Sequence, residues 1–152
     1  MVGILKESGL SPERLELEVT ETALMESAEQ CGPNITALRA AGVRVALDDF
    51  GTGYSSLSHL REFQVDRVKI DQSFVRGIAR AGENNAIVQA IVDLAQATGL
   101  KVTAEGVETE EQSSFLSGIG CNELQGFLLS HPMSGEQVDQ LLGVPASKSV
   151  AA

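Results

Sequence analysis

The feature that most constrains the fold is an alternation: short runs rich in aliphatic and β-branched residues give way, again and again, to stretches with helical spacing. Such alternation marks βα units around a parallel sheet. Leu15 to Thr20 sets Leu15, Leu17 and Val19 against Glu16, Glu18 and Thr20, the period of two of a strand. A helix is expected from there to Ala41, with Ile35, Leu38 and Ala41 on one face and Gly42 as its left-handed terminator, and Pro33 leaves its first turn open. Val43 to Leu47 and Arg67 to Ile70 read as the second and third strands. Glu83 to Thr98 carries Ile87, Ile91, Leu94 and Ala95 at helical spacing, closed by Gly99, and Leu100 to Ala104 is the fourth strand. Thr109 with Gln112 and Ser134 with Gln137 form capping boxes. Between them Asn122 to Leu124 is a short fifth strand, and the last helix reaches Leu142. The expected class is α/β with about five βα units, one domain over residues 1–142 and a frayed tail over 143–152.

Charge and composition exclude several functions. The 11 Lys and Arg against 21 Asp and Glu leave a net charge of -10, which removes the attraction to phosphate behind nonspecific nucleic-acid binding and offers nothing basic to anionic lipid. Nucleic acid and membrane surfaces are therefore not expected partners. No apolar run approaches the roughly 20 residues of a membrane helix, and Lys6 and Glu7 stand where a signal peptide is apolar, so a cytoplasmic location is expected. Cys31, Cys121, His59 and His131 have none of the spacings of a disulfide framework, a zinc ribbon or an HExxH site. Any metal has to be held by oxygen.

The C-terminal ends of the strands carry, in order, Glu18, then Asp48 and Asp49, then Lys69 and Asp71, then Glu105, then Gln125. In parallel α/β folds these ends form the functional face. A single acid there is ordinarily a solvated loop residue or a cap, but a series at equivalent positions is harder to explain that way. Asp48 and Asp49 repel each other, and a divalent cation is the usual means of keeping such a pair ionised, with a plain turn as the alternative. Gly51 and Gly53 would let backbone approach a ligand, yet no phosphate-loop lysine accompanies them. Glu18 shares its side of the strand with Glu16 and Thr20, and Glu21, just past the strand, is placed to cap the next loop or helix. Lys69, between Val68 and Ile70, needs carboxylates beside it: Asp71 is near, and Asp48, Asp49 and Glu105 lie across the sheet. The alternative is a lysine snorkelling from an edge strand. Glu105 is placed to meet a metal or a water, Glu108 to serve the loop before the Thr109 helix, and Gln125 with Gly126 closes the series. Oxygen donors with one lysine suit Mg²⁺ or Mn²⁺, and such hard ions commonly act on phosphate oxygens.

The strings Glu18-Val19-Thr20-Glu21, Asp48-Asp49-Phe50-Gly51-Thr52-Gly53-Tyr54-Ser55-Ser56, Lys69-Ile70-Asp71, Ala104-Glu105-Gly106-Val107-Glu108-Thr109 and Gln125-Gly126-Phe127 occur in this order. Over about Leu10 to Leu142 the chain resembles the EAL domain of bacterial cyclic di-GMP phosphodiesterases. The resemblance implies a modified TIM-type barrel that hydrolyses cyclic di-GMP to linear pGpG with two Mg²⁺ or Mn²⁺ ions. By position it makes Glu18 and Asp48 metal ligands and Asp49 a ligand of the second metal. Lys69 becomes the group that orients or activates water, Glu105 a further metal or water ligand, and Gln125 a water-holding residue. Asp71 and Gly126 fall beside the substrate or behind its ligands. Glu21 and Glu108 become loop anchors, the former for the loop after Asp49, which the family ties to dimerisation, so a homodimer or other self-association is implied.

The chain also departs from the family. The Glu-Ala-Leu triplet that gives the family its name and a metal-binding Asn on a later strand would both lie before Met1, and the triplet occurs nowhere in this sequence. Against a barrel of about 250 residues, a third or more is then absent. Phe127 stands where tyrosine is common. The expectation is a truncated EAL domain over 1–142 whose own hydrolysis of cyclic di-GMP is negligible. The alternatives are a non-catalytic EAL-like module that binds or contacts a partner, and an enolase-like barrel in which the strand-end acids hold one Mg²⁺ and the lysine takes a proton.

Overall fold

A computed structural model describes residues 2–26, 28–52, 63, 65–78 and 83–143. Five strands, β1 (Glu16–Thr20), β2 (Arg44–Phe50), β3 (Arg67–Ile70), β4 (Lys101–Ala104) and β5 (Glu123–Leu124), form one sheet in the order of the chain. Every neighbouring pair is parallel. The helices are α1 (Val2–Ser8), α2 (Glu21–Glu26), α3 (Ala28–Ala40), α4 (Gln72–Arg76), α5 (Glu83–Thr98), α6 (Glu110–Gly118) and α7 (Gly135–Leu141), with a 3-10 turn at Pro12–Arg14.

The two faces of the sheet are chemically opposite, and this places the site. Val45, Leu47, Val68, Ile70, Val102 and Ala104 pack with Val75, Val88, Val92 and Leu116 of the helices in one buried core. Val88, Val92 and Leu116 are fully buried, which contributes about 1.5–3 kcal/mol for each side chain. Apart from Ala46, the alternate residues of the same strands are polar and point the other way, so the period of two seen in β1 extends through the sheet.

Several elements depart from expectation. The single helix up to Ala41 is two, α2 and α3, and Pro33 sits inside α3. The second strand starts at Arg44 and runs on through Asp48 and Asp49 to Phe50, rather than ending at Leu47. Helices α1 and α4 are too short for a periodic signal. Gly42 (φ 95°) and Gly99 (φ 74°) take the left-handed conformation expected after α3 and α5, and both capping boxes are formed. Residues 53–62, which carry most of the string after Asp49, and 144–152 of the expected tail lie outside the described residues. Among the described residues no helix is long and apolar enough to cross a membrane.

Candidate functional site

Successive residues of a regular strand face opposite sides, so Asp48 and Asp49 could not share a site without a local irregularity. The pairing of β2 with β3 supplies one: Leu47 lies opposite Val68 and Phe50 opposite Ile70, leaving one extra residue on β2. This is a β-bulge. Asp49 takes up the excess at φ 56°, the one positive φ of a non-glycine residue among those described. Asp tolerates this left-handed conformation better than most residues. The bulge returns Leu47 and Phe50 to the buried core, while Asp48, Asp49 and Glu105 bring one oxygen each within 4.8 Å of one another. The Asp49 N–H donates to Asp48 Oδ1 at 3.1 Å, stabilising the turn of the chain. Partial burial and the charges of Asp48 and Asp71 push the Asp49 carboxyl up, with Lys69 pulling it down.

Lys69 stands at the centre of this face. It is 4% exposed, and its Nζ lies 2.8 Å from Glu18 Oε1, 3.3 Å from Asp48 Oδ1 and 2.6 Å from Glu105 Oε1. Burial alone would favour the neutral amine, but the hydrogen bonds to Glu105 and Glu18 and the Glu105 and Asp48 charges outweigh it and hold the group well above the usual lysine range. Lys69 is therefore a fixed cation and a hydrogen-bond donor. Three strands, β1, β2 and β4, send it carboxylates. Asp71 does not take part: it lies past the end of β3 and caps α4, accepting from the Ser73 N–H at 2.9 Å and from the Ser73 hydroxyl.

The remaining positions surround this centre. Glu21, 3% exposed at the start of α2, accepts from the Gly51 N–H at 3.4 Å through Oε2, and its Oε1 has no partner among the described residues. Gln125 and Gly126 line a cleft of about 250 Å³ with Gln72, Arg76, Glu105 and Glu108. Gly126 is required by sterics, because a Cβ there would fall 2.2 Å from both Val107 N and Val107 O. Glu108 is exposed, 4.0 Å from Arg76. Its loop is held by Gln112, whose Oε1 accepts from the Glu108 and Thr109 N–H groups at 2.7 and 3.0 Å while its Nε2 donates to Val75 O at 3.3 Å. Sequence reasoning found Gln112 as a cap but not as the buried tie to α4. It missed Arg67 altogether, although an arginine inside a strand two residues before Lys69 was the signal.

The donor set is entirely carboxylate oxygen, with one cation already seated among the carboxylates. It fits a hard divalent ion such as Mg²⁺ or Mn²⁺ and does not suit zinc.

A parallel sheet with helices on one face and converging carboxylates at its strand ends defines an α/β domain of the barrel type. The EAL domain model matches residues 2–132, and the chain belongs to the EAL family. It is 48% identical over 129 residues to the bifunctional diguanylate cyclase/cyclic di-GMP phosphodiesterase MucR of Pseudomonas aeruginosa, covering 85% of this chain and 19% of that protein. The crystal structure of the EAL domain of Mycobacterium smegmatis DcpA superimposes with a TM-score of 0.86 at 45% identity, covering 93% of this chain and 64% of that one. The manganese/cyclic di-GMP complex of Klebsiella pneumoniae BlrP1 gives 0.80 at 43% identity, covering 86% and 33%. The chain spans between 16% and 22% of the length of such curated relatives.

Proposed function

We propose that this chain supplies the carboxylate and lysine part of a site that hydrolyses one phosphodiester bond of cyclic di-GMP to give pGpG. The observation that carries the reading is the convergence of Asp48, Asp49 and Glu105 within 4.8 Å, made possible by the bulge. The manganese and cyclic di-GMP bound by BlrP1 support the choice of ligand. Two Mg²⁺ or Mn²⁺ ions held by Glu18, Asp48, Asp49 and Glu105 would supply Lewis acidity toward the phosphate oxygens and a more acidic water. Lys69, seated among these carboxylates, orients the attacking water by donation. Gln125, which lines the cleft beside Glu105, would offer its side-chain amide to the same water. Glu21 holds Gly51 and so fixes the end of β2, while Asp71 and Glu108 shape the α4 and α6 sides. A cytoplasmic setting accords with a nucleotide substrate, and the outer edges of β1 and β5, unpaired among the described residues, accord with self-association.

A second reading is binding without turnover, which the seating of Lys69 among Glu18, Asp48 and Glu105 also accommodates. One experiment tests the site and can discard the second reading. Mn²⁺ is titrated calorimetrically into the chain and into Asp48→Asn/Asp49→Asn, and cyclic di-GMP is then incubated with each and the products separated. Metal binding that the double variant weakens by about tenfold or more supports the site, and equal binding by both proteins excludes it. Hydrolysis by the isolated polypeptide is expected to be negligible, and appearance of pGpG at the rate of an intact EAL enzyme, abolished by Asp48→Asn, would discard the binding-only reading.

A further inference from the structure

The inner face of the sheet carries two polar layers, one above the other. The upper layer is the site: Glu18, Asp48, Lys69, Glu105 and Gln125. Two residues earlier on four of the same strands stand Glu16, Arg67, Thr103 and Glu123, and Arg67 is bonded to each of the other three. Arg67 is 6% exposed. Its Nε lies 3.0 Å from Glu16 Oε1 on β1, its Nη1 donates to Thr103 Oγ1 on β4 at 2.6 Å, and its Nη2 donates to Glu123 Oε1 on β5 at 2.8 Å. Nη1 also pairs with Glu123 Oε2. Each arm therefore ends one side-chain step below a site residue: Glu16 below Glu18, Thr103 below Glu105, Glu123 below Gln125, and Arg67 itself below Lys69.

We infer that Arg67 is a positioning residue for the site: its guanidinium fork ties β1, β3, β4 and β5 from inside, and so sets how closely Glu18 and Glu105 approach Lys69 and where Gln125 hangs. The local structure shows what such a tie adds. β5 has only two residues, paired to β4 through Glu123 and Leu124; past its end the Gln125 N–H donates to Ala104 O at 2.8 Å and its O accepts from the Val107 N–H at 3.0 Å, so the backbone holds this strand end and the Arg67–Glu123 bonds add the tie between side chains. β1 is not a neighbour of β3 in the sheet, yet Arg67 reaches it across Ala46, which lies beside it in register. A small residue at 46 leaves that lane open. Only a planar group with several fixed N–H vectors meets three strands at once, and an ammonium in its place keeps the charge but loses the fork.

This inference rests on the metal reading of the upper layer, and its test separates the two. Arg67→Lys, Arg67→Met and the control Arg39→Met are made in the full chain. The control breaks the Arg39–Asp66 pair (2.7 Å), in which α3 contributes the arginine. Three quantities are read: the thermal midpoint, the Mn²⁺ dissociation constant, and, without metal, the ¹H–¹⁵N signal of Lys69 Nζ, whose protons are protected by its three carboxylates. Both Arg67 variants are expected to weaken Mn²⁺ binding by about tenfold, the range seen when a group behind a metal ligand is removed, and to shift or abolish the Lys69 signal. Arg39→Met lowers the midpoint with neither effect. A folded Arg67→Lys that binds Mn²⁺ like the wild type and keeps its Lys69 signal overturns the inference. Should the Arg67 variants not fold, Glu123→Gln, at the exposed end of the network, decides: weaker Mn²⁺ binding sustains the inference and unchanged affinity overturns it. A wild type that binds no Mn²⁺ refutes the metal reading instead, and the Lys69 signal then judges Arg67 alone.

Discussion

Replacing Lys69 by Met removes the cation from the centre of the carboxylates and leaves the aliphatic stem in place. The side chain is 6% exposed, while its partners Glu105, Asp48 and Glu18 are 18%, 22% and 51% exposed. Two unit charges about 4 Å apart interact by roughly 4 kcal/mol at an effective dielectric of ~20, but water reaches all three carboxylates, and Glu18 most, so the full sum is never realised. Breaking a buried pair by deleting one partner typically destabilises by 3–5 kcal/mol, and the exposed side of this cluster argues for the lower end, about 3 kcal/mol. For a domain of this size that corresponds to a fall of about 6–12 °C in the midpoint. Added Mn²⁺ should recover much of the loss, because the metal then neutralises carboxylates that no longer have an internal cation. Thermal unfolding in EDTA and in millimolar Mn²⁺ measures both effects. Equal midpoints in EDTA, or a Mn²⁺-induced rise no larger in Lys69→Met than in the wild type, would show that the ammonium and the metal do not share these ligands.

Gly126→Ala should cost about 3 kcal/mol or more, since its Cβ would meet Val107 backbone at 2.2 Å and backbone cannot rotate away; a variant with the wild-type urea midpoint would refute the contact. Asp66 is a pH-sensitive tie: burial alone would raise its pKa, but the Arg39 guanidinium and the Val45 N–H hold it below the usual carboxylate range. With the folded pKa depressed, its stabilisation is complete above the unfolded value near 4 and is lost as pH falls through the folded value. Asp66→Asn should accordingly flatten the acid limb by less than about 1 kcal/mol, and an unchanged slope of stability against pH below 4 would contradict this. Self-association through the outer edge of β1 or β5 is expected at low micromolar concentration despite the net charge of -10, because repulsion is screened within about 8 Å at physiological salt; sedimentation that shows a stable 16.0 kDa monomer would overturn it.

What the sequence discloses and what it conceals divide along the reach of each interaction. β3 and β4 are legible because Val68, Ile70, Val102 and Ala104 are buried by helices that come next within the same stretch of chain. The demand of Lys69 for carboxylates is legible from Val68 and Ile70 on either side of it, whereas the choice of Glu18 over Asp71 depends on strand register. The extension of β2 through Asp49 depends on pairing with β3 across a chain separation that no local pattern records. Arg67 conceals its role for the same reason: an isolated arginine reads as a solvated side chain until Glu16 and Glu123, on strands far apart in the sequence, are placed on either side of it.

The backbone at Asp49, with φ at 56°, has a consequence for mutational scanning. Glycine adopts this conformation freely and asparagine does so more readily than most residues, whereas alanine there carries a penalty of roughly 1 kcal/mol or more that is unrelated to charge. Alanine at 49 thus changes two things together, the carboxylate and the ease of forming the bulge that turns Asp48 and Glu105 toward each other. Asparagine deletes the charge and leaves the bulge intact, so the difference between Asp49→Ala and Asp49→Asn isolates the contribution of chain shape to the grouping of the oxygens. Glycine, in which the shape is easy but no side chain remains, completes a series of three substitutions that distinguishes a ligand from the bend that presents it.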